Sequence, residues 1–163
     1  MTLYRKAVGI VAGLLLLGSG VTALAQEGPI QKVEITKFGI YQDGVVKPAD
    51  PKIKGSVDEV EMKLIKQTSD IEAKVGVSYG IWYKASGKDG AEKANLLVRI
   101  PGKGLAMDGK MVNEVRIPLL LKVGVESSYG FAIESPAEIL PGEWIFEIWV
   151  RGAKMAQQNF TVR

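Results

Sequence analysis

The sequence contains neither histidine nor cysteine among its 163 residues, and each absence excludes a kind of chemistry. Without histidine there is no Ser-His-Asp triad, no imidazole general base and no imidazole metal ligand. Without cysteine there is no thiol nucleophile, no thiolate metal site and no disulfide. We therefore predict no catalytic, cofactor-binding or metal-binding residue, and we expect stability to come from the burial of apolar side chains.

The first 25 residues have the layout of a secretory signal peptide. Arg5 and Lys6 form a basic start, an apolar run follows over residues 7–17, and the small residues "ALA" at 23–25 fit a cleavage site. A retained membrane anchor is the alternative, because residues 7–25 are marginally long enough to span a bilayer, which takes roughly 20 residues.

Cleavage predicts a mature chain of residues 26–163, which is a suitable length for one domain. We expect this domain to be periplasmic or extracellular, with no stable membrane insertion. Loss of Arg5 and Lys6 lowers the formal net charge from +3 to +1. Nucleic-acid binding needs a surplus of Lys and Arg to neutralise phosphates, so no nucleic-acid partner is predicted.

Three Asp-Gly pairs divide the mature chain into short runs with alternating apolar residues. Asp43-Gly44, Asp89-Gly90 and Asp108-Gly109 can each supply the positive φ angles of a tight hairpin turn. A longer loop with two prolines is predicted over residues 47–55. The predicted strands cover residues 33–41, 60–67, 77–85, 94–100, 112–121, 125–133, 143–151 and 154–162.

The run at residues 60–67 is ambiguous. Ser56 and Glu59 have the spacing of a capping box at a helix start, and Val60 and Leu64 recur at a helical interval. The strand alternative places Val60, Met62 and Leu64 on one face at a period of two. Partners for pairing in an all-β chain favour the strand.

Alternation predicts which side chains face the core, because successive strand residues point to opposite faces of a sheet. The predicted inward rows are Val77, Tyr79, Ile81 and Tyr83; Trp144, Phe146, Ile148 and Val150; and Phe160 with Val162. Pro141 and Gly142 allow a sharp corner immediately before the first inward tryptophan. Such a corner suits a two-sheet sandwich of immunoglobulin type.

Four stretches carry a resemblance that covers nearly all of the mature chain: "VEITKFGIY" at residues 33–41, "YGIWY" at 79–83, "LPGEWIFEIW" at 140–149 and "FTV" at 160–162. In these stretches the chain resembles a bacterial family of small exported domains of unknown function. The resemblance implies an all-β fold, an immunoglobulin-like antiparallel β-sandwich of about seven to eight strands. It implies no activity, ligand or site.

Two motifs come close to known chemistry. Gly104, Gly109 and Lys110 match the start of a phosphate-binding loop, but the flanking runs predict two strands, so a hairpin turn is the better interpretation. Glu143 and Glu147 lie on one strand face, where four residues span roughly 13 Å. A glycoside hydrolase needs carboxyl groups roughly 5 to 9.5 Å apart, so these two do not form such a pair by themselves.

The candidate binding surface is a patch of outward-facing residues, Trp82, Ile145 and Trp149. We expect their two strands to be neighbours in one sheet, so that the two tryptophans form a platform for a sugar ring or an apolar side chain. The alternative is structural: Trp149 lies across Gly80, and the loop at 47–55 covers Trp82.

These observations predict a non-catalytic, exported interaction module of the cell envelope that binds another envelope protein or a glycan. Two alternatives remain open at this point. One is a polysaccharide hydrolase that uses carboxylates alone, and the other is a purely structural spacer. The sequence predicts neither the identity of the partner nor the oligomeric state.

Overall fold

The structure is a computed structural model that describes residues 28–47 and 59–163. The predicted signal peptide at 1–25 and the predicted loop beyond Lys47 lie outside the described residues. The strands, in chain order, are β1 (Ile30–Lys47), β2 (Glu59–Lys66), β3 (Asp70–Ile71), β4 (Ser78–Gly87), β5 (Ala91–Arg99), β6 (Leu105–Met107), β7 (Lys110–Val112), β8 (Glu114–Lys122), β9 (Glu126–Ala132), β10 (Gly142–Val150) and β11 (Ala153–Val162).

Two sheets hold nearly all of these strands. The four-stranded sheet has the order β2-β1-β4-β9 and the five-stranded sheet the order β3-β11-β10-β5-β8, while β6 and β7 form a separate hairpin. Every pairing inside the sheets is antiparallel except the parallel contact of β3 with β11. The predicted all-β sandwich is confirmed, and its eight long strands match the predicted number.

The core lies between the two sheets and is rich in aromatic rings. Tyr79 is surrounded by Phe131, Trp144, Phe146 and Phe160, whose ring centroids lie 5.1 to 6.1 Å from its own. These distances are typical of edge-to-face and tilted aromatic packing. The predicted inward rows of β4, β10 and β11 all lie in or against this core.

The corner before β10 places Trp144 in the core and satisfies its one polar atom. Gly142 has a φ of 133°, and the turn leaves the carbonyl of Leu140 facing the indole. The Trp144 Nε1–H donates a hydrogen bond of 2.9 Å to that carbonyl. The "LPGEW" segment therefore buries a large aromatic ring without an unpaired N–H group.

Two turns have positive φ at both central residues, as type I′ hairpins require. They are Asp108-Gly109 between β6 and β7, with φ of 49° and 76°, and Arg151-Gly152 between β10 and β11, with φ of 49° and 75°. Asp89-Gly90 also lies in a turn, between β4 and β5. The prediction for Asp43-Gly44 is wrong: β1 continues through this pair, where its register with β2 shifts between Asp43 and Val46.

The ambiguous segment is a strand, so the helix alternative is wrong. β2 (Glu59–Lys66) pairs along the second half of β1, with Tyr41 opposite Leu64. The backbone hydrogen bonds between β1 and β2 join distant parts of the chain, and they outweigh the local preference for a helix that the capping-box spacing indicates. Three elements were not predicted from the sequence: the two-residue strand β3, the short strand β6 and a 3₁₀ turn at Pro136–Glu138. No helix within the described residues is long and apolar enough to cross a membrane.

Candidate functional site

The structure separates the predicted patch into two parts on different sheets. Trp82 lies on β4 of the four-stranded sheet, whereas Ile145 and Trp149 lie on β10 of the five-stranded sheet. The expected pairing of these strands is wrong, because β4 pairs with β1 and β9 while β10 pairs with β11 and β5. All three residues face outward from their own sheets, so Trp82 is on the opposite side of the sandwich from the other two.

Trp82 faces outward from its sheet but is buried, so it does not form an exposed platform. Only 7% of its surface is exposed, and its ring packs edge-on against Tyr41, with centroids 6.3 Å apart. Tyr41 in turn lies where a side chain on Gly130 would be. A side chain on Gly80 would meet the backbone of Tyr129 and Gly130 and the Met62 methyl group. The suggestion that Trp149 covers Gly80 is therefore wrong, although the principle of side chains covering bare backbone holds.

Glu147 anchors the other part of the patch. Its side chain lies between Ile145 and Trp149 on the outer row of β10, yet the residue is only 5% exposed. The Trp149 Nε1–H and the Lys154 Nζ each donate a hydrogen bond of 3.1 Å to this carboxylate. Arg99 Nε lies 3.4 Å from Glu147 Oε2, the oxygen that also accepts the hydrogen bond from Trp149. These contacts fix the orientation of the Trp149 ring.

The pKa of Glu147 lies below its usual value. Burial by itself raises the pKa of this carboxyl group, but the hydrogen bonds from Lys154 and Trp149, together with the charges of Lys154 and Arg99, lower it by more. Glu147 is consequently ionised at neutral pH. A general acid in glycoside hydrolysis needs the opposite, a raised pKa that keeps its proton.

A shallow cleft of about 340 Å³ lies beside Trp149 on the outer face of the five-stranded sheet. Leu97 is 3% exposed and points away from the sandwich core, so it forms the floor. Gly152, in the turn after β10, leaves open space at one end. The remaining side chains that line the cleft are Asn95, Arg99, Glu114, Arg116 and Trp149.

A second depression of about 420 Å³ adjoins this cleft and shares Glu114 and Arg116 with it. Its other side is the β6–β7 hairpin, which contributes Met107, Asp108, Lys110 and Val112. Together the two depressions extend from the β10–β11 turn across β5 and β8. The Gly104–Met111 segment thus forms a hairpin without a following helix, as the sequence analysis favoured over a phosphate loop.

Ion pairs cross the cleft from strand to strand. Arg99 Nη1 lies 3.1 Å from Glu114, and its Nε contacts Glu147, so one guanidinium bridges two carboxylates. Arg116 approaches Glu114 only at 3.9 Å. Within residues 28–47 and 59–163, no cluster of three or more acidic residues could hold a metal ion. The arrangement offers an aromatic face, an amide, a carboxylate and cationic donors, which are groups that can hold a polar ligand.

Ile145 and Trp149 were predicted from the sequence, but the residues that surround Trp149 in the cleft were not. Ile145 is half-buried and lies opposite Arg99 on β5, outside the cleft lining. Asn95, Leu97 and Arg99 alternate along β5, and Glu114 and Arg116 do so along β8. This alternation is a signal in the sequence that each set shares a face, but only the strand order places both sets beside Trp149.

Residues 30–162 match the family model described as "Domain of unknown function (DUF3859)". The chain belongs to this family. Because the match covers most of the sequence, the predicted resemblance to a bacterial family of unknown function is confirmed.

The solved structures that resemble this chain support the fold. An immunoglobulin-like protein from Pseudomonas aeruginosa is 23% identical, with a TM-score of 0.59 over 83% of this chain and 100% of that chain. The predicted immunoglobulin-like sandwich is thereby confirmed. A β-D-glucoside glucohydrolase from Trichoderma reesei is 17% identical over 81% of this chain and 19% of that chain, with a TM-score of 0.33. That score is too low to carry an argument. A comparison with curated proteins found no match.

Proposed function

We propose that this chain is a non-catalytic saccharide-binding module of the bacterial cell envelope, exported by the leader at residues 1–25, and that its ligand binds in the cleft beside Trp149. One observation carries the proposal. The Trp149 ring is half-buried and is oriented by a hydrogen bond to the buried Glu147, and it borders a cleft with polar side chains.

The chemistry of the cleft suits a sugar. A pyranose ring has an apolar face of C–H groups that stacks on an aromatic ring, and hydroxyl groups at its rim that need hydrogen-bond partners. Trp149 supplies the aromatic face, while Asn95 and Arg116 supply an amide and a guanidinium. The volume of about 340 Å³ is at the lower end of the range for small-molecule sites.

A binding role is favoured over hydrolysis by the state of the acidic groups. Glu147 is ionised and is held by two hydrogen-bond donors and by the charge of Arg99, and its lowered pKa makes it a poor proton donor at neutral pH. Glu114, the other carboxylate at the cleft, is paired with the same guanidinium of Arg99. The sequence offers no histidine to act in their place.

Calorimetric titration of the 26–163 chain with neutral and acidic oligosaccharides tests the proposal. We expect Trp149→Ala to weaken saccharide binding by about tenfold, because a stacked aromatic contact contributes about 1 kcal/mol beyond its buried area. Ile65→Ala is the matched control, since Ile65 is 57% exposed and lies on β2 of the other sheet. Its affinity should equal that of the unmodified chain.

Thermal unfolding of both variants shows whether they fold. Glu147 keeps its contacts with Lys154 and Arg99 in Trp149→Ala, so this variant should remain folded. The proposal is wrong if no saccharide binds the unmodified chain, an outcome that would favour a structural spacer. Equal binding by both variants would place the ligand elsewhere on the surface.

A further inference from the structure

We propose, resting on the function above, that the saccharide is an acidic oligosaccharide of at least two rings, with one ring stacked on Trp149 and the carboxylate of another ring bound by Arg116. Three features of the cleft support this proposal: its charges, the single long ion pair of Arg116, and the separation of β8 and β10, the strands that carry Arg116 and Trp149.

Positive charge is in excess at the cleft, and the adjoining depression adds one charge of each sign, Asp108 and Lys110, which leaves this excess unchanged. Three cations, Arg99, Arg116 and Lys154, face two carboxylates, Glu114 and Glu147. Arg99 contacts both carboxylates, and Lys154 contacts Glu147 at 3.1 Å. The charge that remains to be balanced belongs to Arg116. An anionic group in the ligand would balance it, whereas a neutral sugar would not.

Arg116 has its hydrogen-bonding capacity available. Its one ion pair with a described residue is to Glu114, where Nη2 lies 3.9 Å from the carboxylate oxygen, too long for a hydrogen bond. Its side chain is 63% exposed. A guanidinium has five donors in a planar fork that matches the two oxygens of a carboxylate, and such charge-assisted pairs are among the stronger hydrogen bonds. Arg116 therefore favours a carboxylate over a hydroxyl.

The position of Arg116 indicates the length of the ligand. Arg116 is on β8 and Trp149 is on β10, with β5 between them, so two strand spacings, roughly 10 Å, separate the two backbones. Leu97 forms the floor of this interval. Arg116 also lines the adjoining depression toward the β6–β7 hairpin. A ring stacked on Trp149 and a carboxylate at Arg116 consequently belong to different sugar units.

The test compares three probes by calorimetric titration: trigalacturonate, its methyl ester and monomeric galacturonate. We expect trigalacturonate to bind most tightly and the neutral ester and the monomer to bind at least about tenfold more weakly, because each lacks one of the two contacts. Arg116→Gln should weaken the binding of trigalacturonate by about tenfold or more and leave the affinity for the methyl ester unchanged. Arg116→Lys keeps the charge but loses the planar set of guanidinium donors. Its affinity for trigalacturonate should therefore lie between those of Arg116→Gln and the unmodified chain.

Arg163→Gln is the matched control, because it removes the same charge from an exposed ion pair with Asp70, near the edge of the same sheet that lies furthest from β8. It should leave every affinity unchanged. An equal loss in Arg163→Gln and Arg116→Gln would overturn the assignment to Arg116 and indicate general charge attraction. If trigalacturonate and its methyl ester bind equally and Trp149 is still required for binding, the preference for an acidic ligand is wrong and the proposed saccharide-binding function is retained. If no probe or other saccharide binds, both fall.

Discussion

Tyr79 lies at the centre of the aromatic core, where its hydroxyl group is buried and has no hydrogen-bond partner among the residues that the structure describes. Burial, with a smaller contribution from Tyr41, raises the pKa of this hydroxyl above its ordinary value, so it stays neutral. A buried hydroxyl without a partner loses its hydrogen bonds to water on folding and gains none in return. The ring of Tyr79 thus stabilises the core while its oxygen opposes that stabilisation.

Tyr79→Phe should raise the free energy of unfolding by about 1 kcal/mol, because it removes the unpaired oxygen and keeps the ring. Urea denaturation at neutral pH measures this change. Tyr129→Phe is the control, since Tyr129 is only half-buried and its hydroxyl is not among the buried unpaired atoms. A loss of stability in Tyr79→Phe would show that the hydroxyl has a partner after all.

At the scale of elements, the hairpin of β10 and β11 connects the core to the candidate site. Its inward row includes Trp144 and Phe146, and its outward row includes Glu147 and Trp149. The two rows keep their faces only while the register holds, because a slip of one residue exchanges them. The Arg151-Gly152 turn sets this register by joining Val150 directly to Ala153.

Gly152→Ala should lower the free energy of unfolding by about 1 kcal/mol. Gly152 has a φ of 75°, and a Cβ there would meet no atom within 4 Å, so the cost comes from the backbone conformation alone. Gly152→Asn is the matched variant, because Asn tolerates positive φ, and it should cost less. Thermal or urea unfolding measures both. Equal stability of the alanine variant and the unmodified chain would contradict the positive φ.

The turns show how far local sequence predicts elements. Asp108-Gly109 forms the two-residue turn that its sequence predicts, because nothing nearby competes with the local preference. Asp43-Gly44 has the same sequence and lies within β1, because β2 continues to pair on the far side of it. The inward rows of β4 and β10 were predictable because the period of two is a local property. The parallel contact of β3 with β11 has no local signal.

At the scale of the whole molecule, the order of the strands determines which of the predictions about the patch are confirmed. Both tryptophans of the predicted patch face outward as expected, but the sequence contains no signal for which strands are neighbours. Since β4 and β10 belong to different sheets, the two outward faces lie on opposite sides of the sandwich. The cleft beside Trp149 depends on the neighbours of β10, and these could be known only from the fold.

The pH dependence of stability is also a property of the whole chain. The sequence has no histidine, so no side chain is expected to change charge between about pH 5 and 8. Hydrogen bonds from Lys37 and Thr36 lower the pKa of Glu126, and the pKa of Glu147 is lowered as well. A carboxyl group whose pKa is lowered in the folded state stabilises that state at pH values above its ordinary pKa. This stabilisation is lost as the pH falls through the pKa of the group in the folded state.

The melting temperature should therefore be nearly constant from about pH 8 to 5 and should decrease below about pH 4.3, the ordinary pKa of glutamate. Thermal unfolding followed by circular dichroism across this range measures the profile. Glu147→Gln should melt at a lower temperature at neutral pH and should show a shallower decrease in acid. A profile with a step near pH 6.5 would contradict the assignment of the pH dependence to carboxyl groups.

The separation of the tryptophans has a consequence for spectroscopy. Trp82 and Trp144 are 7% and 1% exposed, whereas Trp149 alone borders the cleft. Fluorescence from the two enclosed indoles is shielded from anything dissolved in the surrounding water. An occupant of the cleft would alter the emission of one indole out of three, so this chain contains both a built-in reporter and its own internal reference.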